Sequence, residues 1–216
     1  MSIMPIPDPS PEPVGIRLSA LDSYLGQPGG LPGVSFWPRA VARAIDLAVH
    51  YFIAICSGFL FGMLLAVVAA LQHTSVRALL AHRKRGGIAL FAFALLASVV
   101  FQAICEGLHG SSPGKRLFSM AVVQEDGSPC RMGSAWIRSF AYFIDSLFFG
   151  LIGYFSMQKT PQQQRHGDEW AHTVVCQRSK VEPQNLRGAG QFALALFLAT
   201  LAYSALMILG LLVNLR

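Results

Sequence analysis

Read for its alternation of apolar and polar positions, the chain divides into four long apolar segments separated by short polar, basic stretches. The uncharged run from Leu47 to Leu71 is long enough to cross a bilayer, which needs about 20 residues. With Val41–Ile45 before it, the first segment is longer than required, so it is expected to tilt or project. Ile88 to Ile104 form the second segment, closing on Glu106. Ile137 to Met157 form the third, carrying Asp145 inside and Gly150 and Gly153 near its end. Phe192 to Val213 form an uncharged fourth. Two short stretches follow a different pattern. Leu117–Gln124, LFSMAVVQ, is rich in β-branched residues and ends on the turn signal Glu125-Asp126-Gly127, and Thr173–Cys176 reads TVVC. These two strands are expected to pair at the membrane surface, which satisfies backbone groups that lipid cannot.

One pattern is written twice. Residues 35–46 read SFWPRAVARAID and residues 134–145 read SAWIRSFAYFID, so Ser35, Trp37, Arg39, Ala42, Ile45 and Asp46 recur in register as Ser134, Trp136, Arg138, Ala141, Ile144 and Asp145. In each copy an arginine precedes an aspartate by seven residues, two helical turns or roughly 10 Å along one face. Each copy reads as a helix entered through an aromatic and basic collar, with one acid carried into the apolar segment.

Composition places the molecule in a membrane. Of 216 residues 53% are hydrophobic and only 13% charged, and the mean hydropathy is +0.48, far from a soluble domain. The net charge of +6 is spread over collars and loops without an aromatic-interleaved basic stripe, which excludes nucleic acid and makes anionic lipid headgroups the expected partner. Cys56, Cys105, Cys130 and Cys176 lie far apart with no C-x-x-C pair, so no metal or redox role follows. The first 34 residues hold Pro5, Pro7, Pro9, Pro11, Pro13, Pro28 and Pro32 with five glycines and are expected to be a mobile tail, with no cleaved signal peptide. The expected division is therefore a tail at 1–34, a membrane domain at 35–178, a linker at 179–189 and an added transmembrane helix at 190–216. The fold class is an all-α integral membrane protein with three to four apolar segments, one spanning or re-entrant, and a small cytoplasmic two-stranded β element.

Charge bears on topology. Four full spans with a cytoplasmic N-terminus place nine basic residues outside, among them Arg83, Lys84, Arg165 and Arg187, against the positive-inside tendency. A third segment that dips in and returns keeps residues 109–187 cytoplasmic and twelve of seventeen basic residues inside. The repeat of the first helix argues instead for a full span, and both arrangements stand.

An acid inside a bilayer is by default paired or functional. Asp46 has Arg43 one turn earlier on its face, so the expected pair locks helix packing. Asp145 has Tyr142 at the matching position, and a phenol cannot neutralise a carboxylate, which makes Asp145 the candidate proton- or cation-binding acid. Glu106 is either an interfacial acid facing Lys115 or Arg116 or a member of the same cluster. H-x-D-x-x-x-H over His166–His172 is set aside as a metal site, because a helix turns His166 and Asp168 about 200° apart; Asp168 is read as the N-cap of the short turn Glu169–His172, with Thr173 opening the strand. No G-x-S-x-G, H-E-x-x-H or P-loop spacing occurs, so no enzymatic activity, catalytic residue or cofactor is expected.

Taken together, FWPRAVARAID, EGLHGSSPGKRLFSMAVVQEDGSP and QQRHGDEWAHTVV resemble the RDD family of multipass membrane proteins, over about residues 35–176. The resemblance implies that Arg39 is the family arginine, Asp46 its first aspartate and Asp168 its second, with Asp145 as the rival for that place; Arg43, Arg138 and Tyr142 are the supporting residues that the repeat itself supplies. His172 departs from the family's usual small residue, and residues 190–213 lie beyond its domain. A transport role is implied, sodium–proton antiport having been attributed to some members, while a eukaryotic relative tied to a protein-degradation complex implies scaffolding. The expected protein is a homo-oligomeric small ion or solute transporter of the inner (plasma) membrane, with a scaffold that binds a protein partner at its cytoplasmic face as the alternative.

Overall fold

The computed structural model describes residues 31–77, 87–145 and 147–214, with the side chains of 147–149 left aside. Most of the tail and the basic stretch around Arg83–Arg85 lie outside these residues. Helix α1, Phe36–Leu71, runs 36 residues, and α2, Gly87–His109, runs 23. A one-turn helix α3, Pro113–Leu117, leads into β1, Met120–Gln124. The second half repeats this order in shorter form: α4, Met132–Asp145; α5, Leu147–Met157; a one-turn α6, His166–Trp170; and β2, Thr173–Gln177. Two 3₁₀ turns, Arg178–Lys180 and Pro183–Asn185, precede α7, Ala189–Val213.

Three helical stretches, Phe36–Leu71, Gly87–His109 and Pro183–Val213, are long and apolar enough to cross a membrane, so the chain is a multipass membrane protein. Their outward faces are apolar: Phe52, Phe59, Leu64, Ile88, Leu194 and Phe197 are all exposed, as lipid requires. The third apolar segment is broken. The axes of Met132–Asp145 and Gly150–Met157 are bent by 112°, so this segment is a broken span or a re-entrant loop. Gly150 sits at φ +88°, which a side chain rarely adopts.

Small residues bring α2 and α7 together. Ala97, Ala195 and Ala199 are fully buried, and a Cβ on Gly210 would stand 2.8 Å from that of Phe93. His50 of α1 closes this core, its ring 4.6 Å from Phe101 and stacked at 5.2 Å on Tyr203.

The two strands pair antiparallel as expected, with Val122 opposite Val175. Two expected boundaries shift. Gly33 forms an isolated bridge with Cys176, and the Val34 N–H donates to the Val175 carbonyl at 2.8 Å, so residues 33–34 lie against β2. The stretch 179–189 is more than a linker: Val181 is buried and Arg187 Nη1 donates to the Gly107 carbonyl at 2.5 Å.

Candidate functional site

Both copies of the repeat deliver their arginine to one carboxylate. Arg39 of α1 donates from Nη1 to Asp168 Oδ2 at 2.6 Å, from Nε to the Val34 carbonyl at 2.8 Å and from Nη2 to the Val175 carbonyl at 3.3 Å. Arg138 of α4 donates from Nη1 to Asp168 Oδ1 and, at 2.7 Å, to Thr173 Oγ1, while its Nε donates to Glu106 Oε2 at 3.0 Å. Glu106 in turn holds Lys115 Nζ and accepts from Gln102 Nε2 at 2.7 Å. The result is a buried chain of alternating sign, Arg39, Asp168, Arg138, Glu106, Lys115, which crosses from one half of the molecule to the other. Of the two candidates for the second family aspartate, Asp168 is the one Arg39 holds.

The repeated aspartates do something else: each caps a one-turn helix. Asp46 accepts from Ser112 Oγ at 2.6 Å and from the Gly114 N–H at 2.8 Å. Asp145 accepts from the Gly167 N–H at 3.4 Å and lies 3.3 Å from His166 Nδ1. An anion at a helix N-terminus meets unpaired N–H groups. The contact surface is small at both places. A Cβ on Gly114 would overlap the Ala42 carbonyl oxygen, and one on Gly167 would stand 2.8 Å from the Ala141 Cβ. Ala42 and Ala141 are equivalent in the repeat.

This geometry extends the repeat beyond what the sequence pattern revealed. Ser112–Gln124 and Arg165–Gln177 match at an offset of 53, keeping Gly114 with Gly167, Val122 with Val175 and Gln124 with Gln177. The N-caps Ser112 and Arg165 share their backbone, φ −79° and ψ 168° against φ −80° and ψ 167°, and Ser119 and His172 both take φ just above +50°. The strand register places the equivalent residues Val122 and Val175 opposite each other, as a local two-fold axis requires. Only these three of thirteen positions are identical, which is too few for the sequence pattern alone to reveal the match.

Two sequence expectations are corrected. Arg43 does not pair with Asp46. The short helix α3 takes both Asp46 oxygens, and Arg43 donates to Gln102 Oε1 at 3.2 Å and lies 4.3 Å over the Tyr142 ring. Asp145 is not without basic neighbours either, because His166 reaches it and Arg165 Nε stands 4.0 Å away. Both partners come from a distant segment, which spacing along the chain does not reveal. For Glu106, Lys115 is the facing cation and the buried cluster is its setting. Arg165, Gln102, Ser112, Ser139, Gly114 and Gly167 were not singled out in the sequence.

Asp168 lies outside the apolar helices. Burial alone would push its carboxyl up, and the Arg138, Arg165 and Arg39 guanidiniums beside it overturn that and hold it below the usual carboxylate range. For Lys115, burial outweighs Glu106 and brings the ammonium below its ordinary value. Burial also lifts the Cys130 and Cys176 thiols to about 11. Among the described residues no group of three His, Cys, Asp or Glu side chains is placed to hold a metal.

Beside the charge chain are two cavities. One, of about 200 Å³, is bordered by Arg39, Arg43, Gln102, Glu106, Arg138 and Ser139 together with Leu47, Leu95 and Phe143. The other, of about 330 Å³, is bordered by Asp145, Gly150, Gly153 and Met157. Arg39, Arg43, Leu47, Tyr142 and Arg165 line both and form their common wall. In it the Tyr142 ring is flanked by guanidiniums at 4.3 Å (Arg43) and 5.5 Å (Arg165).

The model of the RDD family matches residues 34–172 of this sequence. No curated protein and no solved structure matches it.

Proposed function

The chain belongs to the RDD family, and from that premise we propose that it is a small carrier that moves an ion or solute across the plasma membrane with a proton as the coupled species. The observation that supports this reading is the pair of cavities separated by the Arg43, Tyr142 and Arg165 stack. Cavities where repeated units meet are what secondary transporters use. In this reading the stack is the barrier between the two chambers. Asp145, which borders the larger cavity with His166 3.3 Å away, is the acid on which coupled transport depends, and Asp46, whose two oxygens serve α3, is architectural. The N-terminus and residues 109–187 face the cytoplasm, which keeps most basic residues on that side. Copies assemble through their apolar helix faces in a bilayer with anionic headgroups.

Purified protein reconstituted in vesicles with an internal pH dye tests this under imposed sodium, potassium or phosphate gradients. The reading expects a gradient-driven proton signal in wild type that falls about tenfold or more in Asp145→Asn and Tyr142→Ala and survives in Cys56→Ala. The second reading is a membrane scaffold with a partner at the sheet, favoured by how completely the acids are engaged in ion pairs and caps. It follows if wild type gives no signal under any gradient.

A further inference from the structure

The polar atoms around the smaller cavity are unevenly satisfied. Its acids are engaged: both Asp46 oxygens accept from α3, and Glu106 accepts from Lys115, Gln102 and Arg138. Arg39 has an acceptor for all three of its nitrogens, and Lys115 has Glu106. The donors that remain are Arg43 Nε, Arg138 Nη2, Arg165 Nε and Ser139 Oγ, each buried with no hydrogen-bond partner among the described residues, Arg165 Nε having the Asp145 carboxylate 4.0 Å away as an ion pair. All four belong to residues that line this one cavity. Arg138 is only 2% exposed, so its free N–H has no bulk water to turn to. A buried donor without an acceptor carries the full desolvation cost of that group, and a charged one more. Three guanidinium N–H donors and a hydroxyl, beside carboxylates that are already engaged, are the complement of an anion with several oxygens, and guanidiniums match the forked geometry of carboxylate and phosphate.

The remaining wall says what such an anion is attached to. Leu47, Leu95 and Phe143 border the cavity and are at the same time exposed on the apolar outer faces of α1, α2 and α4. A ligand whose charged end meets the arginines therefore extends along an apolar side that opens toward lipid.

We propose that this cavity binds an amphiphilic anion, a phosphate or carboxylate headgroup with an apolar tail, through Arg43, Arg138, Arg165 and Ser139. The proposal rests on the reading of the cavity as a solute site and names the solute's class. A membrane lipid and a soluble short-chain acid share this chemistry.

Calorimetric titration of the full-length protein in a neutral detergent with hexyl phosphate, inorganic phosphate and hexanol tests it. Saturable binding of hexyl phosphate, with inorganic phosphate and hexanol each weaker by about tenfold or more, is expected. Arg43→Gln, which leaves the buried charge chain intact, should weaken hexyl phosphate by about tenfold or more, and Arg43→Lys should recover only part of it. Ser139→Ala should weaken it by a smaller factor. Equal binding of hexyl phosphate by wild type, Arg43→Gln and Ser139→Ala, or hexanol binding as tightly as its phosphate ester, overturns the proposal. In nanodiscs, displacement of hexyl phosphate by phosphatidic acid assigns the site to a lipid headgroup, and unchanged binding assigns it to a soluble acid. Proton flux in vesicles without hexyl phosphate binding removes this inference and leaves the carrier reading. Binding without flux removes the carrier reading and leaves the site.

Discussion

Asp168 is the residue on which both halves of the molecule depend. It supplies the acceptor for Arg39 and Arg138 at zero exposure, and breaking such a buried arrangement strands the cations that remain. Asp168→Asn should cost about 3–5 kcal/mol, read as a lowered unfolding midpoint in detergent. Arg39→Lys keeps the charge but loses the forked contacts to Val34, Asp168 and Val175, and should cost about 1–3 kcal/mol. Asp168 also sets an acid limb. Its carboxyl binds a proton more weakly in the folded than in the unfolded chain, so the stability it supplies is fully present above about pH 4 and drains as pH falls below that. The midpoint of wild type should drop on acidification and that of Asp168→Asn should drop less; parallel curves would remove Asp168 from this role. The sequence reads Asp168 as the N-cap of a short turn, but Arg165 holds that place, and Asp168 sits three residues on, inside α6, where its carboxylate accepts from the Arg165 N–H at 3.2 Å. Of its three arginine neighbours, Arg165 is three residues away, while Arg39 and Arg138 were not legible, since they lie 129 and 30 residues away and no local spacing encodes such a pairing.

At the scale of elements, the one-turn helices α3 and α6 are held by an aspartate at their N-terminus and a glycine pressed against an alanine of the long helix. Gly114→Ala must displace the Ala42 backbone and should be strongly destabilising, beyond the usual 1–3 kcal/mol or so of overpacking. Gly167→Ala meets a side-chain methyl and should fall within that range. Gly58, mid-helix in α1 with open space around it, should tolerate alanine with a gain of about 0.5–1 kcal/mol. Thermal unfolding of the three variants in one detergent gives this order, and a Gly114→Ala protein as stable as Gly58→Ala would contradict the docking account. The paired strands and the three long helices were legible because hydrophobic period and run length are local. The break in the third apolar segment was legible only as a conflict between charge distribution and the repeat, and the 112° bend is that of a broken span or a re-entrant loop. In element order, α4 and α5 are the shortened counterparts of α1 and α2.

The whole molecule is then two copies of one plan, helix, helix, capped turn and strand, joined at the β1–β2 pair and completed by α7. The equivalent positions Lys115 and Asp168 carry opposite charge, and that difference lets the buried charges alternate across the junction. Arg39 and Arg138 meet on Asp168, while Glu106 stands between Arg138 and Lys115 where strict symmetry would set two cations together. The asymmetry leaves an excess of cationic donors, and the smaller cavity is where they are found. The most direct measurement is the reactivity of Ser139→Cys in a background with Cys56, Cys105, Cys130 and Cys176 replaced by alanine. If the cavity admits a solute and favours anions, a small negatively charged thiosulfonate modifies this cysteine, and does so at least severalfold faster than its positively charged counterpart. No modification by either reagent, or faster modification by the cation, would contradict the account.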